Sequence, residues 1–215
     1  MSADHDAQVE YWNRVAGEKV FLHPLDMVRV RSVADADAAV LDLGCGVGRL
    51  TAELTRQGFS HVTGADMAPA MLDLARARCP NASFVLTDGR TLPFEDESFD
   101  LVLLFSVLTC VISDAGQDAL LAEIRRVLRP DGIVYISDLM MQDDERNRAR
   151  YDEHADAFPH YGTFRLPEGL VCRHFDAARV KQLTRGFKPV HLQRLHVNTM
   201  NGNAAAAFQI MARKA

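Results

Sequence analysis

The residues with the most chemical content lie together at Asp42-Leu43-Gly44-Cys45-Gly46-Val47-Gly48. Three glycines at alternate positions strip side chains from one edge of a turn. A ligand can then approach the backbone and meet amides at the start of the following helix. The spacing is D-x-G-x-G-x-G, whereas a dinucleotide pyrophosphate loop is G-x-G-x-x-G. A carboxylate two residues before the first glycine suits a ligand carrying an ammonium or sulfonium better than a phosphate. Asp42 therefore has two open roles, orienting the glycine loop through backbone amides or helping to hold a ligand's cationic end. Gly44, Cys45 and Gly46 are expected to give the close backbone approach, with Cys45 a small packed side chain. Asp66-Met67 follows about 20 residues after the glycines, where an acid can hold a ribose through its hydroxyls. The alternatives are a helix N-cap before Pro69 for Asp66 and core packing for Met67. A third acid stands at Asp88-Gly89, ahead of Leu92-Pro93-Phe94 and Ser98-Phe99-Asp100; an ordinary turn is its alternative.

Positioning these groups requires strands that end beside one another. Short apolar runs at Val40–Leu43, His61–Ala65, Ser83–Thr87, Asp100–Phe105 and Gly132–Ser137 lack polar alternation, as strands covered on both faces do. Helical patterns at Arg49–Gln57, Pro69–Arg78 and Gln117–Leu128 separate them, and Pro130-Asp131-Gly132 reads as a tight turn. This alternation predicts an α/β, Rossmann-like, doubly wound sheet. A helix at Asp176–Arg185 precedes Val190–Thr199 and Ala204–Ala212, which flank the hairpin dipeptide Asn201-Gly202. With that antiparallel hairpin added, the sheet is mostly parallel and seven-stranded. One domain over residues 1–215 is expected, with an N-terminal helical cap at 1–38. The polar, irregular stretch at 139–175 is too long for a simple crossover and reads as a lid or substrate-binding insert.

From Val40 to Asp138 the chain resembles the class I S-adenosylmethionine (SAM)-dependent methyltransferases, and is similar to their ubiquinone/menaquinone-biosynthesis group. The terminal hairpin is a further mark of that fold. The resemblance implies SAM as cofactor, S-adenosylhomocysteine as product, and in-line methyl transfer to an acceptor. It implies that Asp42, Gly44, Cys45 and Gly46 belong to the cofactor-binding loop, that Asp66 binds the ribose and that Met67 lies against the adenine. Asp88 would accept from the adenine amino group, Gly89 would let the base lie close, and Phe105 and Ser106 would touch cofactor or substrate. Tyr11, in Tyr11-Trp12-Asn13, either closes over the methionine part or packs as a helix residue. Family members acting on nucleobases or amides often carry Asn-Pro-Pro-aromatic where this chain has Phe105-Ser106-Val107-Leu108, so the expected partner is a small-molecule methyl acceptor.

Topology places acceptor candidates on the carboxyl rim of the sheet: His23, Tyr151, His154, His160, Tyr161, Arg165, His174, Asn201 and Asn203. Within Phe158-Pro159-His160-Tyr161-Gly162, His160 and Tyr161 are the preferred catalytic pair. His154, His160 and His174 match no compact metal motif, and no metal is expected. Cys45, Cys110 and Cys172 match an arsenic-directed enzyme poorly, since Cys45 belongs to the glycine loop. Rival readings are a macromolecular methyltransferase, a non-catalytic SAM-binding module and a nicotinamide-dependent oxidoreductase.

The formal net charge of -5 over 215 residues disfavours a nucleic-acid surface. Four widely spaced cysteines suggest neither a disulfide framework nor structural zinc. The polar start, Met1-Ser2-Ala3-Asp4-His5-Asp6, lacks an apolar signal core, and no run is long enough to span a bilayer. A cytoplasmic location is the expectation.

Overall fold

The computed structural model describes residues 3–19 and 22–215. Its centre is a sheet built from β1 (Ala39–Leu43), β2 (His61–Asp66), β3 (Ser83–Leu86), β4 (Phe99–Phe105), β5 (Leu128–Leu139), β8 (Phe187–Asn198) and β9 (Ala204–Lys214). The strand order is β3-β2-β1-β4-β5-β9-β8. Pairings among β1 to β5 are parallel, and both pairings of β9 are antiparallel. The α/β, mostly parallel seven-stranded fold with a terminal hairpin is thus the one the sequence implies.

Alternation of side chains along each strand divides the core between two faces. Leu41, Leu43, Val102, Leu104, Val134 and Ile136 point to one face. They meet Leu120, Leu121, Ile124 and Val127 of α5 (Asp114–Val127) and Val180 and Leu183 of α7 (Ala177–Leu183). Val40, Leu101, Leu103, Ile133 and Tyr135 point to the other. They meet Val30 of α2 (Met27–Arg31) and Leu50 and Leu54 of α3 (Arg49–Arg56). Central strands with near-continuous apolar runs are what this double covering requires. α4 (Pro69–Arg78) crosses from β2 to β3, and its Met71 packs with Tyr11 and Val15 at the end of α1 (Ala3–Arg14).

Three details sharpen the sequence reading. β5 begins at Leu128, four residues early, because Leu128 pairs with Phe99 and the register then shifts so that Ile133 pairs with Leu101. The Pro130-Asp131-Gly132 turn lies inside that irregularity, with Asp131 at φ 63°. The segment 139–175 is more regular than expected. It holds α6 (Glu145–Glu153) and an antiparallel pair, β6 (Thr163–Arg165) with β7 (Val171–Arg173). α6 buries only Asn147 and Tyr151, so it shows no apolar stripe in the sequence. Its N-cap is plain, as Asp144 accepts from the Asn147 amide at 3.1 Å. Third, the 1–38 segment holds two separate helices, α1 and α2, with residues 1–2 and 20–21 outside the described set.

Because β8 is antiparallel to β9, and β9 to β5, β8 runs with the core strands. The turn at 199–203 therefore emerges on the carboxyl rim, beside the glycine loop and the 139–175 segment.

Candidate active site

The glycine loop is fastened to β2. The amides of Gly44 and Cys45 both donate to the Ala65 carbonyl, at 2.7 and 3.0 Å. Gly44 has φ 72°, and a Cβ there would stand 2.3 Å from Val107 Cγ2, so only glycine fits. Asp42 is buried below the loop, where its Oδ2 accepts from the Thr51 amide at 3.0 Å and the Thr51 hydroxyl at 2.7 Å. It thereby fixes the first turn of α3. Burial pushes its pKa up to about 6, against the pull of those two hydrogen bonds. Asp66 bridges two segments, with Oδ2 accepting from Gly46 N at 2.8 Å and Oδ1 from Ala68 N at 2.9 Å. Its pKa is raised, chiefly by burial. A carboxylate offers about four lone-pair sites, so Asp66 retains capacity to accept from ligand hydroxyls.

Above this loop opens a cavity of about 800 Å³, at the large end of the range for small-molecule sites. Asp42, Gly44, Cys45, Gly46, Asp66, Met67, Gly89, Phe105 and Ser106 all line it. A Cβ added at Gly46 or Gly89 would meet nothing within 4 Å, so bare backbone faces open space at both positions. Ser106 is held at φ 58°, unusual for a residue with a side chain, by its amide donating to Ser137 O at 2.8 Å. A second chamber of about 90 Å³ adjoins the first, and Trp12, Ser106, Cys110 and Leu170 belong to the walls of both. Its other walls include His23, Asn147, Arg150, Phe164, His174, Asn201 and Asn203.

This geometry agrees with the comparisons to known proteins. Residues 40–132 match the family described as "Methyltransferase domain". The demethylmenaquinone methyltransferase of Chlorobaculum tepidum is 33% identical over 132 residues, which cover 61% of this chain and 50% of that protein. Methyltransferase GfsG of Streptomyces halstedii is 33% identical over 133 residues, covering 59% and 45%. A crystal structure of a SAM-dependent methyltransferase from Methanosarcina mazei superposes with a TM-score of 0.83 at 26% identity, covering 91% of this chain and 99% of that one. The matched domain and the shared fold support a class I S-adenosylmethionine-dependent methyltransferase. The chain spans about half the length of the curated relatives it matches. The family's cofactor is SAM, and the bare glycine edge, the partly unused Asp66 carboxylate and the cavity volume are compatible with an adenosyl group.

In this chain several expected residues stand elsewhere. Asp88 is exposed and not part of the cavity wall, which Thr87, Gly89 and Arg90 form instead. Its Oδ1 accepts from the Arg90 and Thr91 amides at 2.9 and 3.0 Å, the turn that was its alternative. His160 and Tyr161, expected as the catalytic pair, line neither space. The Tyr161 hydroxyl donates to Asp152 Oδ1 at 2.7 Å and the ring is half exposed. His160 Nε2 lies 3.8 Å from Asp114 Oδ1, which also pairs with Arg173 and Arg179. The reason is local: the regular α6 and the β6–β7 pair turn 158–162 away from the rim. His154 stacks on Phe158 and bonds Arg150 O, also outside the cavity walls. Among the described residues no three potential ligands converge as a metal site would require.

The 139–175 segment instead brings Arg150 and His174 to the chamber. His174 is buried, with Nδ1 2.6 Å from the Tyr151 hydroxyl. That hydroxyl accepts from the Gln142 amide and can donate to a neutral His174. Burial pushes His174 down to about 3, and Arg150 and Arg146 add to the shift. His23 is lowered to about 4 by burial and by Arg49, and its Nδ1 lies 2.8 Å from Ser137 Oγ. Asn201 and Asn203 line the chamber and Arg165 the main cavity. Tyr11 packs in the core, whereas its neighbour Trp12 forms part of the dividing wall. Helical periodicity could have separated these two, since adjacent residues on a helix face different sides. Asp138, which no sequence motif marks, is fully buried at the end of β5. It accepts from Thr109 N at 3.0 Å and Leu139 N at 2.8 Å, and burial pushes it up to about 7. Its hydrogen bond holds the 3₁₀ turn Leu108–Cys110 against the site.

Proposed function

We propose that this chain transfers the methyl group of SAM to a small-molecule acceptor. The observation that carries the reading is the wall shared by the large cavity and the chamber, at Trp12, Ser106, Cys110 and Leu170. A cofactor in the first space and an acceptor reaching into the second would meet there. When bound, SAM supplies an electrophilic methyl carbon, whose bond to sulfur breaks with the electron pair staying on sulfur as the acceptor's lone pair bonds to it.

The chain's own contribution is position. The Gly44–Gly46 backbone cradles the cofactor, Asp66 takes ribose hydroxyls, and Met67 and Phe105 supply apolar surface. Asp42 acts indirectly, by fixing the start of α3 under the loop. Gly89 allows close approach of the base, while Asp88 holds the turn that carries Gly89. Holding nucleophile, methyl and sulfur in line can supply about 7–11 kcal/mol in favourable cases. His23 and His174, lowered to about 4 and about 3, are weak bases at neutral pH. The arrangement therefore suits an acceptor that is already nucleophilic. The segments 1–38 and 139–175 act as covers over one domain, excluding water from the reacting atoms.

A small acceptor is supported by the modest volume of the chamber and by the demethylmenaquinone methyltransferase relatives. Calorimetric titration with SAM, S-adenosylhomocysteine and NAD tests the cofactor. Saturable binding of the first two alone supports the reading, and binding of NAD alone overturns it. Transfer of labelled methyl from SAM to members of a small-molecule panel then tests the reaction.

A further inference from the structure

The chamber beside the shared wall is lined by cationic groups and by no carboxylate. Arg146 and Arg150, one turn apart on α6, both line it, and no Asp or Glu does. Arg146 has a carboxylate within reach, Asp144 Oδ1 at 3.9 Å. Arg150 makes no ion pair among the described residues; its guanidinium donates to Asn147 Oδ1 and lies over the Phe164 ring, 3.5 Å from the centroid. Its Nε is buried and has no hydrogen-bond partner. A guanidinium with no carboxylate beside it is costly to bury unless something in the chamber balances its charge. The surrounding groups do not supply that charge. His174 presses on the same space as a neutral ring, and Gln142 spends its amide on Met140 O and Ala206 O. Arg150 is itself shifted down by burial, with Arg146 a further like charge beside it.

We propose that this chamber binds a carboxylate on the methyl acceptor, with Arg150 as the residue that selects for it. The inference deepens the methyltransferase reading and rests on it. A planar carboxylate matches the guanidinium fork, and a space of about 90 Å³ holds a carboxylate and its first carbons with the body of the acceptor extending past Ser106 and Trp12. A carboxylate neutralised by Arg150 is a poor nucleophile, so it anchors the acceptor while a different atom receives the methyl. The substrate class is thus a small organic acid bearing a second, nucleophilic group.

The test uses the chain's single tryptophan, Trp12, which lines both spaces and reports on each by its fluorescence. Binding of S-adenosylhomocysteine is confirmed first on the same sample; its absence would remove the cofactor reading itself. Protein saturated with it is then titrated with butyrate and benzoate, and with butyramide and benzamide as uncharged counterparts. The expected result is a saturable change with the acids, at least tenfold weaker with the amides. Arg150→Gln should weaken acid binding at least tenfold and leave S-adenosylhomocysteine affinity within twofold. Should Arg150→Gln not fold, Arg150→Lys keeps a charge but loses the fork, and an intermediate loss is expected. Equal response to acids and amides, or unchanged acid binding in a folded Arg150 variant, overturns the proposal.

Discussion

Replacing Gly44 by alanine should damage the site in a way that can be worked out from the loop. At φ 72° an L-residue is disfavoured by about 1–2 kcal/mol. The new Cβ would also stand 2.3 Å from Val107 Cγ2. Overpacking of this kind typically costs about 1–3 kcal/mol. The loop cannot swing away easily, because the Gly44 and Cys45 amides are both committed to Ala65 O. The combined loss is about 2–5 kcal/mol, which for a chain of this length lowers the melting temperature by roughly 4–20 °C. Gly44→Ala should also weaken SAM binding, since Val107 adjoins Ser106 in the cavity wall. The two causes separate in a double-mutant cycle with Val107→Ala. The second change removes the clashing methyl but leaves the dihedral, so a favourable coupling of about 1–3 kcal/mol is expected. Thermal unfolding and calorimetric SAM titration of the four proteins give the cycle. A zero coupling, or a Gly44→Ala protein as stable as the parent, would refute the steric account of the loop.

Other outcomes follow from the same geometry. Asp66→Ala should weaken SAM binding by roughly tenfold to a hundredfold, in keeping with lost charge-assisted hydrogen bonds of about 1.5–3 kcal/mol, while unfolding moves less; unchanged affinity of a folded variant in calorimetry would end the ribose assignment. Tyr151→Phe leaves His174 Nδ1 and the Gln142 amide without their shared partner, and a loss of about 1–3 kcal/mol is expected in urea unfolding. Asp138 has a folded pKa near 7 against an unfolded value of 3.8, so its contribution to stability is present at low pH and is lost as pH rises through about 7. His23 and His174, lowered to about 4 and about 3 from 6.5, act oppositely: their contribution is present above 6.5 and is lost as pH falls toward those values. In urea midpoints measured across pH, Asp138→Asn should flatten the fall on the alkaline side and His174→Gln the fall on the acid side; parallel profiles would contradict both signs.

The parallel core was legible because its physics is local. Apart from Asp42 and Asp100, Val40–Leu43 and Asp100–Phe105 are apolar throughout since both faces are covered, and the glycines between β1 and α3 mark the turn that follows. The grouping of Asp42, Asp66 and the glycines around the large cavity could be read for the same reason, as they sit at fixed distances from strand ends. The acceptor side could not. α6 buries Tyr151 and Asn147 and little else, so no apolar stripe marked it, and without it the direction of 158–162 was open. His160 and Tyr161 were favoured as adjacent chemical groups, yet the helix that leads into them turns them outward and brings Arg150 inward. At 88–89 the difference is narrower: Gly89 lines the cavity as expected, while the aspartate caps its own turn. Asp138 was hidden within an apolar strand, where a single acid carries no spacing signal.

The strand order also sets a constraint on how the molecule is made. β9, residues 204–214, lies between β5 and β8 although it follows both in the chain. As the polypeptide leaves the ribosome, β5 must wait with an open edge and β8 has no neighbour to join, until that segment emerges and zips both sides together. The nascent protein thus carries a complete cofactor loop on an unfinished sheet for the seconds needed to synthesise β8 and β9, the period in which an unpaired edge is most open to aggregation.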